Sequence, residues 1–187
     1  KSNKVVLVYQ LDETNLKWKS IGGNGVNGSW INKGFNIGFS MTTHNNLLFL
    51  TMNREPKIYG KFSSVWAFDG YEWFAVGNKN PPYIWNEVDN FNSSLSFNNI
   101  LFVGAGGKPA GNATVWALNK NQWHMVGGKG VNDSWGKKFP NTLTNDFRNT
   151  STEYPYRFIK WNNSMIVGFG DSKNAATLWK LSIKHSN

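Results

Sequence analysis

One phrase is written repeatedly along this chain, and the repetition constrains its fold more than any local propensity does. Residues 112–135 read NATVWALNKNQWHMVGGKGVNDSW. Upstream, SVWAFDGYEWFAVGNKNPPYIW places Trp66, Trp73 and Trp85 where that phrase has Trp116, Trp123 and Trp135. Near the start, VLVYQLDETNLKWKSIGGNGVNGSW does the same with Tyr9, Trp18 and Trp30, and ATLWKLSI opens a fourth copy at Trp179. Self-similarity at a period of 50 to 63 residues signals a repeat architecture, in which units that cannot bury their own apolar surface stack on one another.

Within one copy the pattern predicts four short strands, at residues 93–97, 100–104, 113–118 and 122–126. Their connections are so short that the strands must pair antiparallel. Asn45-Asn46, Asn98-Asn99 and Asn162-Asn163 each separate two such runs. Asparagine tolerates the positive φ that a two-residue hairpin turn demands. No stretch of helical length keeps a 3.6-residue period without Gly, Asn or Pro interrupting it. The chain therefore reads as all-β: a pair of strands, two sets of four and a set of three, thirteen in all. The units span about 1–35, 36–92, 93–156 and 157–187. Residues 53–63 and 136–156 read as surface insertions, the second carrying Pro140 and Pro155.

The run LFVGAGG, followed by VWAL and then Trp123, resembles the blade of kelch-type β-propellers: an apolar strand ending in Gly-Gly, an aromatic strand, then a Trp. The phrase GGxGVNxSW is similar to repeats of bacterial and phage propeller proteins. The richness in Trp and Gly is similar to that of lectin propellers. The resemblance implies a single β-propeller domain over residues 1–187, of about four four-stranded blades with the first and last incomplete. A four-bladed ring would hold about sixteen strands. Thirteen would leave a sheet edge to be met by a second copy or by the rest of a larger propeller.

The chemistry of the side chains narrows the function classes. The net charge is +9 and the sequence pI about 9.7, a balance that attracts anionic partners. The lysines are scattered, however, with only Lys137-Lys138 adjacent, so nucleic-acid binding is not expected. There is no Cys, hence no disulfide frame and no thiolate site. His44, His124 and His185 stand at no metal-ligand spacing, no cofactor is expected, and no G-x-S-x-G elbow is present. The acids fall mostly in turns, among them Asp12, Glu13, Asp69, Asp133 and Asp171. Asp69-Gly70-Tyr71-Glu72-Trp73 is read as one such turn. Catalysis is therefore not expected. No apolar run is long enough to span a membrane, and the start lacks a signal-peptide pattern. Sequons at Asn27, Asn92, Asn112, Asn132, Asn149 and Asn162 permit an extracellular or secreted setting.

Binding is the better-supported class. The loop after each fourth strand repeats as GGNGVNGSW and GGKGVNDSW, with NKNPPYIW in the middle copy. Trp30, Trp85 and Trp135 close these loops, and Asn27, Ser29, Asn132, Asp133 and Ser134 are the polar partners beside them. Indole faces stack on the apolar faces of sugars while amides and hydroxyls bond sugar hydroxyls. The same letters also suit a second role, in which each Trp plugs the gap between neighbouring blades. The expected function is a non-enzymatic module that recognises carbohydrate or another surface ligand. The alternative is a kelch-type protein–protein scaffold whose contacts come from 53–63 and 136–156. A homo-oligomer or a larger assembly is compatible with either.

Overall fold

The computed structural model describes residues 5–31, 35–54, 65–76, 90–106, 113–119, 122–128, 131–133, 154–170 and 177–182. They form thirteen strands in four antiparallel sheets. The first sheet pairs β1 (Val8–Asp12) with β2 (Lys17–Gly22). The second runs β3 (Phe35–His44), β4 (Leu47–Arg54), β5 (Val65–Phe68) and β6 (Trp73–Ala75). The third runs β7 (Asn90–Phe97), β8 (Ile100–Gly106), β9 (Thr114–Asn119) and β10 (Gln122–Gly127). The fourth runs β11 (Tyr154–Trp161), β12 (Ser164–Gly170) and β13 (Thr177–Ser182). Every sheet is a meander in which strands adjacent in sequence are adjacent in space, and none closes on itself.

The turns explain why these strands pair in this register. His44↔Leu47, Phe97↔Ile100 and Trp161↔Ser164 are the last pairs before two-residue loops. Asn45, Asn46, Asn98 and Asn99 all have positive φ, between 47° and 61°, as the tight turn matching strand twist requires. In the second and third sheets the second strand is the apolar one because both its faces are covered. In β4, Phe49, Leu50, Thr51 and Met52 are all buried although alternate residues face opposite ways.

The first sheet departs from expectation at its start. Residues 4–11 read as strand, but pairing begins at Val8, with a register shift between Val8 and Tyr9. The carbonyl of Val6 is used elsewhere, by the indole of Trp30. Residues 12–15 read as the turn that follows, but the turn lies at 13–16, and Leu16 carries a positive φ of 55°.

By contacts the chain divides into two compact units, Lys1–Glu87 and Val88–Asn187. In the first, Val8 and Ile21 of the first sheet pack with Leu48, Leu50, Trp66, Phe68 and Trp73 of the second. In the second, Phe97, Phe102, Val115 and Ala117 of the third sheet pack with Met165, Val167, Trp179 and Leu181 of the fourth. Strand registers make these the same positions. Val8 corresponds to Val115, Leu48 to Met165, Leu50 to Val167, Trp66 to Trp179 and Phe68 to Leu181. Sheet-on-sheet packing therefore repeats along with the sequence.

Candidate functional site

The described residues of the repeated loop take the same conformation in both copies. Gly23 and Gly128 each have φ of 97°, and each is followed by a tight turn closed by Val26 N–H to Gly23 O and by Val131 N–H to Gly128 O, at 3.1 and 3.0 Å. Glycine is required at both for a second reason. A Cβ on Gly23 would lie 2.4 Å from the carbonyl oxygen of Val6, and one on Gly128 would lie 2.5 Å from that of Ala113. Only a bare α-carbon lets the loop lie against the entry to the sheet's own aromatic strand.

Asn27 and Asn132 are the matched polar residues of the loop. Their backbones agree closely, φ 52° and ψ 44° against φ 53° and ψ 40°. Each sends its side-chain Nδ2 back six residues to a carbonyl, Asn27 to Ile21 O at 3.2 Å and Asn132 to Val126 O at 3.1 Å. Both side chains are exposed. A primary amide has two donors and an acceptor, so this tether orients the group and spends one donor.

Ser29 and Trp30 occupy a different environment from their neighbour Asn27. Ser29 Oγ accepts the Gly23 N–H at 2.8 Å and is buried. Trp30 is 3% exposed. Its Nε1 donates to Val6 O at 2.9 Å, and it meets Trp66 and Trp73 edge-on at centroid distances of 5.5 and 5.3 Å. Here the indole packs between the first and second sheets. The site's exposed chemistry is carried by the amides, with the indole as foundation. Asp133 takes part in the second copy's turn through its backbone. Its side chain, and Trp85, Ser134 and Trp135, lie outside the described residues. Of the insertions read at 53–63 and 136–156, residues 55–63 and 136–153 also lie outside them, whereas residues 53–54 belong to β4 and 154–156 to β11, because the hairpins on either side extend into them.

The remaining candidates behave as turn formers. Asp12 accepts from the Thr14 hydroxyl, the Thr14 N–H and Asn15 Nδ2, bonds that hold its carboxyl below the usual range. Asp69 accepts from the N–H groups of Glu72 and Tyr71 at 2.8 Å each, with the same effect. Both acids are thus kept ionised in their own turns. The sequon Asn92 is buried, whereas those at Asn27, Asn132 and Asn162 are exposed. Among the described residues, no helix is long and apolar enough to cross a membrane. Sequence reasoning missed the exposed aromatics Tyr9, Trp18 and Trp161. The repeat pairs Trp18 with the buried Trp73 and Trp123, so no letter in the chain marks it as different.

No protein-family model matches this chain, and no curated protein matches it either.

Proposed function

We propose that this chain is a non-enzymatic binding module of β-propeller repeats that recognises carbohydrate, or another hydroxyl-rich surface ligand, through its repeated Gly-Asn-Trp loops. The observation that carries the reading is the match between Asn27 and Asn132. Two exposed amides, held in one conformation by the same kind of tether, each form the polar tip of their own loop. Each keeps a donor and an acceptor for a ligand, the combination that a vicinal diol satisfies. Repetition of one weak site along a chain raises avidity when a polymeric ligand can reach several copies. The acids best defined in the structure are engaged in turns rather than poised for proton transfer near neutral pH.

The test is to replace Asn27 and Asn132 by Gly, singly and together, and to measure glycan-array binding beside thermal melting. Glycine keeps the positive φ, so the folded state should melt close to the wild type. Binding should weaken in each single variant and vanish in the double. Unchanged glycan binding in the double variant, or none in the wild type, would remove the proposal.

A further inference from the structure

The first and fourth sheets each leave one apolar face uncovered, and the two faces are the two halves of an interface this chain already builds twice. Within each unit, one sheet presents the face that carries Val8 or Val115, and the next sheet receives it with the face that carries Trp66 or Trp179. On the fourth sheet the presenting face holds Trp161, Ile166 and Leu178. Trp161 pairs in register where Phe97 does in the third sheet, and Leu178 where Val115 does. Phe97 and Val115 are each 2% exposed, yet Trp161 is 59% and Leu178 77% exposed. On the first sheet the receiving face holds Tyr9, Leu11 and Trp18, where the second sheet has Trp66, Phe68 and Trp73. Trp73 is 3% exposed and Trp18 is 67%.

We infer that the first sheet of one copy docks on the fourth sheet of a second copy of this chain, head to tail, continuing the packing seen inside each unit. The contact is heterologous: Tyr9 and Trp18 of one molecule meet Trp161 and Leu178 of the other. Exposed indoles and aliphatics are the residues such a contact removes from water. Two positions depart from the inner pattern. Arg157 stands where the third sheet has the buried Ser93. Lys180 stands where the third and second sheets have Ala117 and Ala67, both buried, so both cations work against close approach.

Sedimentation equilibrium over a wide concentration range tests this on the 187-residue chain. The average mass should rise above 21.1 kDa as concentration increases. Trp18→Lys and Trp161→Lys should each weaken association about tenfold or more, as loss of a central aromatic anchor does. Both side chains are exposed in the single molecule, so neither variant should lose its melting temperature at low concentration. An equimolar mixture of the two variants should recover a heterodimer, because one retains the presenting face and the other the receiving face. Lys180→Ala should tighten association. A constant mass of 21.1 kDa, single variants that associate like the wild type, or a mixture that recovers nothing would overturn the inference. So would weaker association in Lys180→Ala.

Discussion

The indole nitrogen of Trp73 lies 2.6 Å from the carbonyl oxygen of Ile21, a bond between residues fifty-two apart that ties the last strand of one sheet to the last strand of the one before it. Gly22 makes room for it, since a Cβ there would sit 2.8 Å from the same nitrogen. Trp73 also stacks on Phe68 at 5.0 Å and meets Trp30 edge-on. Sheet stacking in the first unit thus has a polar lock inside an aromatic cluster.

Removing the lock should cost less than removing the ring. Trp73→Phe loses the donor but leaves Ile21 O its second partner, Asn27 Nδ2, so a loss of about 1–2 kcal/mol is expected. Trp73→Ala opens a cavity in the cluster and should cost about 3–5 kcal/mol. Urea denaturation, read as a shift of midpoint at constant slope, measures both.

Glycine substitutions separate backbone strain from collision. Gly23→Ala and Gly128→Ala combine a left-handed φ with a backbone oxygen 2.4–2.5 Å from the new methyl. Each should lose more than the ~1–2 kcal/mol that positive φ alone costs a residue with a Cβ. Gly70 also has a φ of 102°, but nothing lies within 4 Å of its Cβ position, so Gly70→Ala should show the conformational cost by itself. Equal effects at Gly23 and Gly128 would reflect their equivalent loops.

Acid should destabilise the fold before its carboxylates titrate. Burial lowers the pKa of His44 from an ordinary value of 6.5. The unfolded chain therefore takes up a proton at a higher pH than the folded one does. Stability tied to His44 is whole above the unfolded pKa and is lost as pH falls below it. Asp12 and Asp69, held below 3.8, contribute stability present above that value and lost only in stronger acid. His44→Phe, which places at this position the residue found at Phe97, should flatten the dependence of melting temperature between pH 7 and 5 (about the range where an ordinary His titrates).

Much of the fold was legible because the signals were local. Asn-Asn pairs between apolar runs specify hairpins, and thirteen strands in groups of two, four, four and three are found where the repeat puts them. Single letters could not tell a ligand-facing indole from a wedge. Trp30 closes its loop in the position that would suit sugar stacking, but its N–H bond to Val6 O and its contacts with Trp66 and Trp73 depend on residues distant in sequence. Trp18 shows the converse. It repeats Trp73 in sequence and stays exposed, because burial depends on which sheet stands opposite. Leu16 was hidden for a third reason: leucine seldom adopts the φ of 55° that the turn gives it.

Indoles recurring in step mark equivalent slots between stacked sheets, filled within each unit and open on one face of the first and of the fourth sheet. Hydroxyl-radical footprinting of the tryptophans by mass spectrometry, at sub-micromolar concentration, tests it most directly. Trp30 and Trp73 should resist oxidation while Trp18 and Trp161 oxidise rapidly. Comparable oxidation of Trp30 and Trp18 would contradict the account.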